Sequence, residues 1–141
     1  MDIPFKALLA IRQHGEDSYP AEACGFVFGH LDPTGKVIGQ EIYQAENVRE
    51  PERRGRRFQI EPEEFLAAEL KAQSLGLDLL AIYHSHPDHP AQPSANDLEK
   101  ALPFYRYLIV AVDKAKAKDT TAWVLAPDRS QFLAEELNVT V

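Results

Sequence analysis

Apolar positions Phe5, Leu8, Leu9 and Ile11 recur with helical spacing over residues 4–14, which predicts an amphipathic helix there, with Gly15 placed to end it. The pattern then changes. Cys24-Gly25-Phe26-Val27-Phe28-Gly29 is short and apolar throughout, so it predicts a buried strand whose glycines allow close backbone approach. A turn at Asp32-Pro33-Thr34-Gly35 leads into a second strand over residues 37–45, expected to pair with the first. Residues 46–56 are polar and arginine-rich and read as a loop, and Phe58-Gln59-Ile60 is a short strand candidate. Pro62 suits a first helical position and Glu63 and Glu64 suit a helix N-terminus; Phe65, Leu66, Leu70 and Leu75 carry that helix to about Gly76. Residues 77–84 are strongly apolar and predict a central strand. A proline-rich loop over 87–93, a helix over 94–102 and strands over 107–112 and 121–126 follow, and the tail, 131–141, fits either strand or helix.

The order helix, strands, helix, strand, helix, strands implies an α/β or α+β fold, a mixed sheet with helices packed against it. No repeat, low-complexity tract or linker divides the chain, so residues 1–141 are expected to form a single domain. With 45% hydrophobic and 26% charged residues the composition is that of a globular protein, which argues against disorder as the main state. A net charge of -7 opposes nucleic acid as the main partner, although Arg53, Arg54, Arg56 and Arg57 form a local basic cluster. The single cysteine, Cys24, excludes an intrachain disulfide, and its place inside an apolar run marks it as buried and without a role. Trp123, Phe104, Tyr105 and Tyr107 are expected in or near the core. The first residues lack the basic segment and apolar run of a signal peptide, and no apolar stretch is long enough to span a bilayer; a cytoplasmic protein without membrane contact is expected.

Chemistry concentrates at Ala81-Ile82-Tyr83-His84-Ser85-His86-Pro87. Side chains alternate along a strand, so His84 and His86 project from one face, and Pro87 is expected to stop regular pairing there. Two neutral imidazoles side by side begin a zinc site; they also fit a plain pair of exposed histidines. Catalytic zinc takes three protein ligands and leaves one position open, so a third donor is needed. Asp97 is the best placed, because Ser94-Ala95-Asn96-Asp97 starts a helix just beyond the proline-rich loop. The same four residues form a capping box, which needs no metal; the two readings are compatible. Asp88 and His89 are rival ligands, ranked lower because they lie off the strand alternation. Hydrolysis also needs a base that is not itself a ligand, and Glu22, just before the first core strand, is a candidate; an ordinary solvated loop acid reads the same way.

Taken together, Glu22, His84-Ser85-His86-Pro87 and Ser94-Ala95-Asn96-Asp97 resemble the JAMM motif of MPN+ metalloproteases: a distant Glu, then His-x-His-Pro, a short spacer and Ser-x-x-Asp. Glu22-Ala23-Cys24-Gly25 and the apolar run after it look like that family's first core strand, and the likeness covers roughly residues 1–126. The resemblance implies zinc bound by His84, His86 and Asp97, Glu22 as general acid/base, and Ser94 as a hydrogen-bond donor to the developing oxyanion. It implies an MPN domain, similar to the cytidine-deaminase fold. It also implies cleavage after the C-terminal Gly-Gly of ubiquitin or a ubiquitin-like protein. The small standalone prokaryotic members that this chain looks most like include some that act on ubiquitin-like sulfur carriers.

Three other functions are excluded or kept in play by particular residues. A zinc deaminase wants His-x-Glu and a later Pro-Cys-x-x-Cys, and this chain has one cysteine. A non-catalytic MPN-type interaction scaffold would lack a ligand or the base, and none is missing. A structural zinc would take a fourth protein ligand, for which Asp88 or His89 would be needed. The cluster Glu52-Arg53-Arg54-Gly55-Arg56-Arg57 reads first as a solvated loop and second as a docking site for an acidic partner surface, beside a sheet edge to which a substrate tail can add as a strand.

Overall fold

The computed structural model describes residues 1–47 and 59–141. Along the chain run β1 (Asp2–Pro4), α1 (Phe5–Ser18), β2 (Cys24–Leu31), β3 (Val37–Ala45), α2 (Pro62–Ser74), β4 (Asp78–Pro87), α3 (Ala95–Lys100), β5 (Arg106–Asp113), β6 (Lys116–Leu125), β7 (Phe132–Glu135) and β8 (Asn138–Thr140). The strands form one sheet in the order β7-β6-β5-β4-β2-β3-β1-β8. Pairings are antiparallel except β4 with β5, β1 with β3 and β1 with β8, so the α/β (α+β) expectation of a mixed sheet flanked by helices holds. β7 and β8 stand at opposite ends of that order, yet only Glu136 and Leu137 separate them, so the sheet has to curl until its two ends approach.

The central strands β2, β4 and β5 are buried on both faces, which is why their sequences are apolar runs rather than alternations. Even and odd positions feed two different cores. Val27, Ala81, Tyr83, Leu108, Val110 and Val112 face α1, with Ile11 and Ala7. Phe26, Phe28, Ile82 and Tyr107 face α2, with Ala68 and Ala72. His84 and His86 share the parity of Ile82, so both point to the α2 side.

Several boundaries differ from the sequence expectation. Gly15 does not end the first helix: α1 runs to Ser18, and Gly15 is buried inside it, where an added Cβ would lie 3.0 Å from Val112. The buried stripe of α1 is Ala7, Ile11 and Gly15, while Phe5 and Leu9 are exposed; in α2 it is Ala68 and Ala72, while Leu66 and Leu70 are exposed. Small residues line both helices because they lie close against a bulky sheet. Pro87 does not stop pairing; it is the last residue of β4 and pairs with Val112, since a strand-end proline forfeits only one donor. The helix expected over 94–102 is shorter, α3, and the strand expected from 121 begins at Lys116. The tail resolves into β7 and β8, and β1 was not anticipated. Phe104 is 79% exposed rather than near the core, whereas Tyr107 is buried. Gln59 and Ile60 are not in a strand; Phe58 and the Arg53–Arg57 cluster lie outside the described residues. Among the described residues no helix is long and apolar enough to cross a membrane.

Candidate metal centre

The antiparallel register of β2 and β4 explains how residues far apart in sequence come together: Cys24 pairs with His84, so continuing the ladder sets Ala23 opposite Ser85 and Glu22 opposite His86. The extension is hydrogen-bonded. Ser85 N–H donates to the Ala23 carbonyl (3.0 Å), and Ala23 N–H donates to Ser85 Oγ (2.8 Å). Asn47 at the end of β3 donates from Nδ2 to the Glu22 carbonyl (3.0 Å) and accepts from Gln59 N–H at Oδ1 (3.1 Å). Glu22 is therefore fixed by its backbone on two sides. Its side chain has the same parity as Cys24 and Phe26 and points to the α2 face, beside the histidines. Neither Ser85 nor Asn47 stood out in the sequence; the odd parity of Ser85, between two histidines, is the one hint that it serves the opposite face.

Asp97 reaches the same point from α3. The Ser94 Oγ accepts from Asp97 N–H (3.0 Å) and Asp97 Oδ2 accepts from Ser94 N–H (2.8 Å), so the capping box is real. That same Oδ2 lies 3.3 Å from His84 Nε2 and 3.2 Å from His86 Nε2, and the two Nε2 atoms are 3.1 Å apart. Capping and convergence on the histidines coexist in one carboxylate.

Three donor atoms thus form a nearly equilateral triangle. A tetrahedral site with metal–ligand bonds near 2.0–2.1 Å has edges of about 3.3 Å, so the triangle has the size of one face of a zinc site. The donor chemistry also fits. His86 Nδ1 donates to the Pro90 carbonyl (2.9 Å), which can only accept, so the neutral ring carries its proton there and turns the Nε2 lone pair toward the triangle. The Glu22, His84 and His86 donor atoms form a looser group, within 4.8 Å of one another. Asp97 closes the tighter set, and Glu22 stands outside it. Among the described residues Glu22 Oε2 is buried without a hydrogen-bond partner, a costly arrangement in a site with nothing to meet it. The solvated-acid reading of Glu22 is overturned, since the residue is 3% exposed.

The electrostatics follow from burial and this clustering. Burial pushes the Glu22 carboxyl up to about 8; the Asp97 charge adds to the rise and His86 opposes it. Burial lowers His84 below the usual imidazole value, against the pull of Asp97. In His86 burial also acts downward, but the Asp97 carboxylate beside Nε2 and the Pro90 carbonyl at Nδ1 favour the protonated ring, outweigh burial and leave its pKa raised. Asp97 is likewise buried, but the two imidazoles against its Oδ2 and the Ser94 N–H hold its carboxyl far below the ordinary range. Cys24 is buried, with its thiol pushed up to about 12 mainly by burial.

Clefts open on both sides of the triangle. One, of about 200 Å³, is mainly apolar, with Ile60, Phe65, Ile82 and Tyr107 beside His84 and Asp97. The other, of about 490 Å³, is lined by Glu22, His86, His89, Gln92 and Ser94. The rival ligands stay outside: His89 is exposed at this second cleft, and exposed Asp88 accepts from Tyr19 Oη–H (2.6 Å) and Lys114 N–H (2.9 Å).

Comparison with known proteins gives this geometry a family. The family described as prokaryotic homologs of the JAB domain matches residues 4–126. A protein named desampylase from Haloferax volcanii is 35% identical over 95 residues, covering 67% of this chain and 65% of the relative, just under two thirds of its own length. The solution structure of a Salinibacter ruber protein has a TM-score of 0.80 at 42% identity, covering 99% of this chain and 92% of that one. A JAB1/MPN-domain protein from Archaeoglobus fulgidus shares the fold over the full length of both chains, with a TM-score of 0.66 at 19% identity.

Proposed function

We propose, from the premise that the chain belongs to the family of prokaryotic JAB-domain homologues, that it is a zinc-dependent peptidase or isopeptidase acting after the C-terminal Gly-Gly of a ubiquitin-like, sulfur-carrier type protein. The observation that carries this reading is the triangle of His84 Nε2, His86 Nε2 and Asp97 Oδ2, 3.1–3.3 Å on each side, with a buried, unpaired carboxylate oxygen of Glu22 next to it. In support of the substrate class stand the motif itself and a relative that bears the name desampylase.

His84, His86 and Asp97 would hold the metal. When bound there, zinc supplies Lewis acidity toward the scissile carbonyl and lowers the pKa of a coordinated water to about 7. The remaining work falls to the chain. Glu22 takes a proton from the attacking water at its free Oε2 and returns it to the leaving nitrogen. A carboxyl raised to about 8 by burial is suited to both directions near neutral pH, and a nearby dication would draw it back toward neutrality. Ser94 Oγ accepts the Asp97 N–H, so its own hydroxyl proton is available for the carbonyl oxygen as charge develops. The apolar cleft beside His84 suits the acyl side of the substrate, and the cleft containing Glu22 suits the leaving group that must receive its proton.

Incubating zinc-loaded protein with fusions of candidate carriers ending in Gly-Gly, read by mass spectrometry, tests the reading. The expected product is a carrier ending at the second glycine, absent after chelation. Stoichiometric zinc binding with no cleavage of any such fusion would favour the non-catalytic scaffold instead.

A further inference from the structure

The metal site depends on a loop with no regular structure of its own. Residues 88–94 belong to no helix or strand, yet the Pro90 carbonyl among them holds His86 Nδ1–H. A carbonyl can fix an imidazole's tautomer and direction only if it is itself held. Gln92 N–H also donates to the Pro90 oxygen (2.8 Å), which draws residues 90–92 into a tight turn. The next carbonyl, that of Ala91, accepts from Thr121 Oγ1–H at 2.6 Å, and Thr121 Oγ1 accepts from Trp123 Nε1–H at 2.8 Å. The Ile109 carbonyl lies 3.4 Å from the same hydroxyl, whose single proton goes to the shorter bond. Below the turn, Ala91 is buried with Ile109 and Ala111 against Trp123, in a small core separate from the two that flank the main sheet. β5 and β6 thus form an apolar seat for the loop, and β6 supplies the hydrogen bond that clamps it.

We propose that Thr121, oriented by Trp123, is a positioning residue for the metal site. Its hydroxyl fixes the turn that carries the Pro90 carbonyl, which keeps the His86 proton on Nδ1 and its Nε2 lone pair on the donor triangle. The inference rests on reading that triangle as a metal site. Without the clamp, the turn gains freedom and the ring can swing or shift its proton to Nε2, where it would block a ligand bond. Outer-shell partners of ligating histidines commonly contribute about 10–100-fold in metal affinity, and Thr121 acts one bond further out, so about 10-fold is expected.

The test compares Thr121→Val, which keeps the shape and removes the donor, with Thr121→Ser, which keeps the donor. Zinc affinity is measured by competition with a chromogenic chelator, and the His86 tautomer by imidazole nitrogen NMR. Thr121→Val should bind zinc about 10-fold more weakly and lose the uniform Nδ1–H signature, and Thr121→Ser should stay within about threefold of wild type. Wild-type affinity together with an unchanged His86 spectrum in a folded Thr121→Val protein would overturn the proposal. If that variant does not fold, Trp123→Phe carries the test, since it keeps an aromatic ring under Ala91 and removes the N–H: weaker zinc and an altered His86 signal support the clamp, and wild-type values overturn it. Wild-type protein that takes up no zinc would count against the metal reading, and the His86 signal of the metal-free variants would still decide the clamp.

Discussion

Asp97 and Glu22 are both carboxylates within one small site, and their surroundings drive them apart. Asp97 lies against two imidazoles and accepts from the Ser94 N–H, surroundings that hold it ionised and available to a cation. Glu22 sits at a buried lip with one oxygen unpaired, so it keeps its proton up to about pH 8. That difference has a thermodynamic consequence. The unfolded carboxyl titrates near 4.5 and the folded one near 8, so between those values the native state binds more protons and stability falls as pH rises. In metal-free protein, Glu22→Gln should therefore remove a stability decline on the order of a few kcal/mol across pH 5–8, seen in urea unfolding at several pH values. In zinc-loaded protein the same change should leave metal content intact and lower kcat by about 10²–10⁴-fold. Full activity in that variant would mean that Glu22 is not the proton carrier.

At the level of elements, the β2–β4 pair assembles the site. Its register sets Glu22 opposite His86, and Ser85 extends the pairing by gripping both polar groups of the Ala23 backbone. Gly25 permits that close fit. A Cβ there would lie 2.4 Å from the Tyr43 carbonyl oxygen and 2.5 Å from the Tyr83 ring, which is tethered at its hydroxyl to His14 Nδ1 (2.6 Å). Neither neighbour can yield cheaply, since one is backbone and the other a buried, hydrogen-bonded ring. Gly25→Ala should cost about 1–3 kcal/mol in denaturant unfolding and weaken zinc binding as β2 is pushed from β4. A loss below about 0.5 kcal/mol would mean that the strands relax more readily than their packing indicates. The helices follow a different rule from the one their leucines advertise. Ala7 and Gly15 flank Ile11 on the buried stripe of α1, and Ala68 and Ala72 form that of α2, because a helix seated on large side chains such as Phe26 and Tyr83 approaches closely only where its own residues are small.

Over the whole molecule, the curled sheet brings distant segments together at Glu135. Its carboxylate meets the Met1 ammonium (3.2 Å) and Arg106 Nε (2.6 Å), joining β7, the β5 entry and the start of the chain. Glu135 and Arg106 are partly exposed, so Glu135→Ala should lower stability by only about 1 kcal/mol, less in high salt, as read from thermal unfolding. An unchanged melting temperature would leave backbone pairing of β7 and β8 as the sufficient closure. Amino-acid order alone marks the long elements and the candidate chemical groups. Apolar runs marked β2, β4 and β5 because strands buried on both faces admit nothing else, and His84, His86, Ser94 and Asp97 stood in short motifs whose local geometry needs few neighbours. Which helical face is buried emerges from the packed fold, since it depends on the bulk of the opposing sheet and not on the helix's own periodicity. The short strand β1 leaves no mark in the sequence, and the tail that becomes β7 and β8 reads equally as helix, because three or four residues carry too little pattern and are held by partners far away in sequence. The place of Glu22 follows from the same cause: Ser85 and Asn47 hold the backbone of Ala23 and Glu22, groups brought to them by strand register, and a register links positions that the sequence keeps far apart.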